Sequence, residues 1–277
     1  LSSGTSSGQS CTSADSTAEV ICYGRHVPER FDDFAWENDR IAFRMYGPAL
    51  EKRNEISSGI DVWVKKVTYP VIDKWYKSKH YHQDSGEGAD FYKVGSSRGC
   101  GGLGFMHKGK LTCSKNWLSS RIIELSKKQI VFELTYAPFK VGSATVTETK
   151  RITLKSGSNL NRFDSTFSIQ GADKLTVAAG ITKRSGKGTY SKFSQGFSYA
   201  EAPGKNGITY LGLIMPGRKF TYLNTAKHYL ATSEISDGET LTYYAGAAWS
   251  KSAQFATYQS WLDYLSKTSD KLDVKSK

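Results

Sequence analysis

The densest set of groups able to move protons lies in residues 81–102. Tyr81, His82, Asp84, Glu87, Asp90, Tyr92, Lys93 and Arg98 are interleaved there with glycines at 86, 88, 95, 99, 101 and 102. Glycine lets backbone approach a ligand closely. An imidazole titrates near neutrality and suits a general base, while a guanidinium grips a carboxylate through paired hydrogen bonds. These are the parts that β-elimination on a uronic acid requires. The C6 carboxylate must be neutralised so that the C5 proton becomes acidic, a base must take that proton, and an acid must protonate the leaving oxygen. His82 is the first candidate base and Tyr92 the second. Arg98 or Arg44 is the candidate carboxylate partner, and Tyr92 or Tyr81 the candidate acid. Lys93 and Arg184 join Arg44 and Tyr81 as substrate-binding candidates. The plain alternative is a solvated, glycine-rich surface loop.

A second polar cluster occupies residues 25–40 and runs into 41–46. Its carboxylates show neither EF-hand spacing nor an HExxH pattern, so no metal site is read from them. Glu37 and Asp39 are expected to pair with Arg40 or Arg44. Ile41, Phe43 and Met45 alternate with Ala42, Arg44 and Tyr46, which places Arg44 on the opposite, cleft-facing side of a strand. Asp84 and Glu87 could serve as a hydrolase pair, although only their separation in space would decide it. Trp63 and Trp75 could stack on sugar faces or pack in the core. No GxSxG elbow, phosphate-binding loop or dinucleotide fingerprint occurs.

The elements that must position these groups read as strands. Residues 60–64, 130–136 and 163–169 alternate with period two, and 175–181, 208–214 and 241–248 are compact apolar runs. Gly/Asn/Asp/Ser clusters at 156–159, 185–188, 203–207 and 237–238 separate them. The pattern predicts an all-β antiparallel sandwich. Phe255, Tyr258, Leu262 and Leu265 recur at helical spacing, predicting one amphipathic helix over 252–267, capped by Ser252 and packed through Phe255, Tyr258 and Leu262. Residues 1–20 read as a flexible lead-in and 21–277 as one domain. The opening Leu1-Ser2-Ser3-Gly4 lacks the n- and h-regions of a signal peptide, and reads as the start of a processed chain or a cut through a longer one.

The chain's 277 residues carry 38 Lys+Arg against 26 Asp+Glu, a net charge of +12. Ten Lys/Arg and three Asp/Glu fall between 140 and 192, so seven of those charges lie there. Scattered lysines on outer strand faces, or a basic groove for a polyanion, would both account for them. No nucleic-acid reader motif appears, and no apolar run nears the ~20 residues of a spanning helix. Cysteines at 11, 22, 100 and 113 suggest the disulfides Cys11–Cys22 and Cys100–Cys113, and with them a secreted protein.

Residues 28–48, opening Pro28-Glu29-Arg30-Phe31-Asp32-Asp33-Phe34-Ala35-Trp36-Glu37-Asn38, resemble the signature of a family of secreted proteins of unassigned function. That family is common in gene clusters of bacteria that degrade pectin and other uronate polymers. Residues 81–102, Glu148-Thr149-Lys150-Arg151-Ile152, 157–163 and Tyr243-Tyr244-Ala245-Gly246-Ala247-Ala248-Trp249 match in order. The resemblance implies a mutarotase-like β-sandwich and a role on uronate glycans. The leading expectation is a polysaccharide lyase that is monomeric, binds an acidic polysaccharide or oligosaccharide, and needs no cofactor, a divalent cation being left open. The alternatives are a glycoside hydrolase or epimerase using Asp84, Glu87 or Glu37, and a non-catalytic carbohydrate-binding module.

Overall fold

A computed structural model describes residues 21–78, 80–184 and 187–276. The alternating segments form three antiparallel sheets. The largest has nine strands. Its main path runs through Thr189–Phe193, Gly196–Ala200, Thr209–Ile214, Thr240–Trp249, Leu160–Gln170, Ala144–Lys155 and Gln129–Thr135 to Ser119–Leu125, and Phe139–Val141 pairs beside Ala144–Lys155. An N-terminal five-stranded sheet follows chain order: Tyr23–Val27, Asp33–Glu37, Ile41–Met45, Asp61–Lys65 and Gly88–Ala89. The third orders Thr221–Asn224, His228–Ser236, Lys174–Thr182, Cys100–His107 and Lys110–Thr112.

Both smaller sheets pack on one face of the large one. Strand Thr240–Trp249 touches Asp61–Lys65 and Cys100–His107 alike. The reason is alternation: Tyr243, Ala245, Ala247 and Trp249 turn into a core shared with Phe34, Phe43 and Val62 of one small sheet and Leu103, Val177 and Ile181 of the other. The two small sheets meet where Ile60 and Gly99 form a parallel bridge. The mostly-β, antiparallel sandwich is as the periodicity predicts. Among the described residues no helix is long and apolar enough to cross a membrane.

The opposite face of the large sheet carries the C-terminal helix, Tyr258–Ser276. It starts six residues later than its apolar spacing predicts. Ser252 spends its hydroxyl on Trp249 O at 2.8 Å, and the cap is Thr257, whose Oγ1 accepts from Ser260 N at 3.1 Å while Ser260 Oγ accepts from Thr257 N at 3.2 Å. This is a capping box with serine in the returning position. Trp261 and Leu265 are fully buried on the sheet in place of Leu262. Gly212 makes room for them, since a Cβ there would lie 2.7 Å from Leu265.

The cysteine expectation needs correcting. Cys100 and Cys113 are free thiols. Cys100 lies in the core with its Sγ donating to Gly246 O at 3.2 Å, and burial pushes the thiol well above its usual range. Cys22 is also a free buried thiol, and Cys11 lies outside the described residues.

Candidate functional site

Strand alternation divides the N-terminal sheet into two faces. Phe34, Phe43, Met45, Val62 and Val64 point into the main core. The other face holds Asp33, Ala42, Arg44, Asp61 and Trp63. The register sets Arg44 opposite both Ala35 and Asp61, so Arg44 Nη2 donates to Asp61 Oδ2 at 2.5 Å. Asp90 Oδ2 lies 3.4 Å from the same guanidinium and Asp33 Oδ2 3.7 Å. Helix Ile72–Lys77 roofs this face: Trp75 stacks on Trp63, and Tyr76 OH donates to Asp33 Oδ2 at 3.2 Å.

Three carboxyls thus share one arginine away from water. Asp33 is 1 % exposed, Asp61 0 % and Asp90 3 %. Loss of hydration pushes them up, Asp33 and Asp61 to about 7 and Asp90 to about 6, despite the attraction of Arg44. Near neutral pH the cluster therefore retains protons. Among the described residues Asp33 Oδ1 and Asp90 Oδ2 have no hydrogen-bond partner. The chain enters this cluster through Phe31 and Asp32, both left-handed at φ 53° and 62°. Gly47 is required beside them, because a Cβ at 47 would overlap Asp32 O. Among the described residues no group of His, Cys, Asp and Glu could hold a metal ion; here a guanidinium occupies the centre.

At the edge of the cluster stands His82, with its side chain 57 % exposed. Its Nδ1 lies 2.7 Å from Asp90 O, an acceptor only, so Nδ1 carries the proton in the neutral ring. Nε2 is left as the bare nitrogen, and no described residue partners it. Tyr81 packs on the imidazole at 4.2 Å, and its hydroxyl accepts from Arg30 Nε at 3.3 Å.

The next carbonyl along, Phe91 O, accepts from Arg184 Nη1 at 3.0 Å. Arg184 also grips Glu201 through two nitrogens, at 2.6 and 3.1 Å, and lies over the Tyr92 ring at 4.6 Å. Beyond it opens a cleft of about 570 Å³, lined by Lys93, Ser97, Thr182, Lys183, Arg184, Glu201 and Lys227 among others. Lys93 and Lys227 are exposed and have no ion-pair partner among the described residues. His82 and the basic cleft are thus joined by the Asp90–Phe91 backbone.

Several sequence candidates stand elsewhere. Arg98 is 2 % exposed, and its Nη1 is spent on Leu103 O at 2.7 Å and Ser58 Oγ at 2.9 Å. It holds a loop together and has no reach for a substrate carboxylate. Tyr92 is equally buried, and its unpartnered hydroxyl is driven up by burial and by nearby Cys100 and Glu201, the reverse of what a phenolate base needs. Trp63 and Trp75 are core residues, 0 % and 4 % exposed, not sugar platforms. Arg44 does share a face with Ala42, but helix Ile72–Lys77 covers it, so it is a buried hub and not a cleft residue.

The carboxylates of the hydrolase alternative are also engaged. Asp84 binds Lys66 Nζ at 2.6 Å and the backbone N–H groups of Gly86 and Gly88. Glu87 accepts from Lys74, Tyr69 and Trp75. In both, these bonds outweigh the upward push of burial and leave the carboxyl below its ordinary value. Glu37 pairs with Lys65 at 2.6 Å and accepts the N–H groups of Val71 and Ile72, while Asp39 accepts from Gly157 N at 2.7 Å. Neither reaches Arg40 or Arg44. The basic run 140–192 is dispersed: Lys150 is buried on Glu148, Arg151 pairs with Glu133 and Arg162 with Asp164, and only Lys183 and Arg184 line the cleft. Lys227, which completes it, carries no local signal in the sequence.

A family model described as "Domain of unknown function (DUF4861)" matches residues 5–277. "Uncharacterized protein P7" of Formosa agariphila is 37% identical over 284 residues, covering 94% of this chain and 69% of that protein. Among solved structures, the galactosidase domain of the alpha-galactosidase-sucrose kinase AgaSK aligns at 10% identity and TM-score 0.42 over 82% of this chain and 42% of its own. The GH36 alpha-galactosidase AgaB from Geobacillus stearothermophilus aligns at 9% identity and TM-score 0.41, over 83% and 41%. The chain spans about two-fifths of each of those two proteins.

Proposed function

The chain belongs to the DUF4861 family, and from that premise we propose that it is a lyase acting on a uronic-acid-containing glycan. One observation carries the reading. An imidazole is tethered through Nδ1 to the same stretch of backbone that borders a cleft with exposed ammonium groups, and among the described residues neither its Nε2 nor the ammonium groups of Lys93 and Lys227 have a partner. Lys93 and Lys227 would neutralise the C6 carboxylate, taking the role that buried Arg98 cannot fill. Nε2 of His82 would take the C5 proton, the C4–O bond would break, and a C4–C5 double bond would form. The Tyr81 hydroxyl accepts from Arg30, so its own proton is free for the leaving oxygen. A polymeric substrate of this kind also places the encounter outside the cytosol, the setting expected of a secreted protein.

The test is a screen of alginate, pectate, glucuronan, ulvan and rhamnogalacturonan, read by ultraviolet absorbance and chain length together. Elimination gives both an absorbing unsaturated end and shorter chains; hydrolysis gives shorter chains alone; a binding module gives neither. His82→Ala is expected to melt cooperatively and bind the polymer, yet lose about 10²–10⁴-fold in rate. Failure of every uronate polymer to gain absorbance would sink the lyase reading.

A further inference from the structure

We propose that Asp90 is the positioning residue of His82, and that the buried Arg44 cluster exists to hold Asp90. The inference rests on His82 acting as the base. Two contacts already tie the pair together: His82 Nδ1 lies 2.7 Å from Asp90 O, and Asp90 N donates to Tyr81 O at 2.9 Å, so one residue holds both the His82 ring and the peptide carbonyl that precedes it. The Asp90 carboxylate adds a third. Its Oδ2 is 3.5 Å from Nδ1, buried, and without a hydrogen-bond partner among the described residues. A buried acceptor thus stands behind an exposed imidazole.

The chemistry follows from the acceptor-only nature of a carboxylate. When Nε2 takes a proton, the new charge spreads to Nδ1–H, which faces Asp90 in a site poor in water. The positive groups acting on Asp90 are Arg44, Arg30 and Arg184, and the negative ones are Asp33 and Asp61. Arg44 is the nearest of the cations that keep this carboxylate in place, itself anchored by Asp61. An amide at position 90 leaves in place the main-chain oxygen that fixes the tautomer, but removes the negative charge facing Nδ1–H, so the imidazolium formed on Nε2 is no longer balanced. This is the logic by which an aspartate fixes the histidine of a hydrolytic triad.

The test is Asp90→Asn, nearly identical in shape. Its kcat on the uronate polymer should fall about 100-fold, at the low end of losing a general base, with KM within about twofold because Lys93 and Lys227 are untouched. Nitrogen NMR of His82 supplies a readout independent of turnover. The neutral ring of both proteins should be protonated on Nδ1, and at a given pH the variant should show a smaller doubly protonated fraction. A wild-type ring protonated on Nε2 overturns the proposal without any variant, as does a folded variant with unchanged charged fraction and kcat. If no polymer is cleaved but the charged fraction falls as stated, the lyase reading fails and the positioning role stands.

Discussion

Asp33, Asp61 and Asp90 bind their protons more tightly in the folded chain than in the unfolded one, where an aspartate titrates near pH 4. Folding therefore takes up protons between about pH 4 and pH 7, and stability falls as pH rises through that window. His228 acts in the opposite sense, since burial lowers it to about 4 and the folded state holds one proton fewer up to about pH 6.5. Above that His228 no longer offsets the carboxyls. Urea midpoints should decline between about pH 6.5 and 8, and Asp61→Asn should flatten the decline. A wild-type profile flat across that interval would contradict the burial argument. The lysines of the cleft act differently, by attraction across solvent. Lys93→Ala and Lys227→Ala should each weaken polymer binding, measured by calorimetry, and leave the melting temperature within error.

The C-terminal helix shows what packing adds to pattern. Trp261→Ala removes a fully buried side chain from the sheet face and should cost roughly 3–5 kcal/mol in denaturant titration, whereas Thr257→Ala should cost about 1 kcal/mol for the lost cap. The existence of this helix was legible from Phe255, Tyr258 and Leu265. Its phase was not, because Leu262 and Trp261 are equally apolar and only the gap at Gly212 decides between them. Some strands were readable from pattern too: Ile41, Phe43 and Met45 alternate cleanly, and Arg44 duly faces away from the main core, whereas strands such as Cys100–His107, Gly196–Ala200 and His228–Ser236 were not picked out. What alternation cannot reveal is a roof. Nothing in the residues around Arg44 announces that helix Ile72–Lys77 closes over it, or that Asp33, Asp61 and Asp90, far apart in the chain, converge there. His82 stands out because it lies in a loop dense in polar groups; Lys227 could be found only by folding the chain.

At the scale of the whole molecule, the net charge of +12 works through a screened field. Polymer affinity should drop steeply with salt, since charges act over about 10 Å at 0.1 M ionic strength. Salt-independent binding would point to stacking or hydrogen bonds instead. The thiols give a second global test: mass spectrometry without reductant should find Cys100 and Cys113 unbridged, with Cys100 alkylated only after unfolding. The N-terminal sheet has one more property that bears on change over time. Strands Asp61–Lys65 and Gly88–Ala89 pair at Lys65 and Gly88, and Lys66 N donates to Glu87 O at 2.7 Å, so the segment 66–87 leaves and re-enters the fold at one spot. That segment brings the roof helix, Tyr81 and His82. Because its ends are clamped together, doubling its length would cost only about 0.6 kcal/mol of closure entropy. Its loops can be rewritten like a cassette while the helix keeps its cover over Arg44 and its N–H groups on Glu37, and descendants of this scaffold could acquire new substrates by changing the residues around His82 while the sandwich beneath them is inherited.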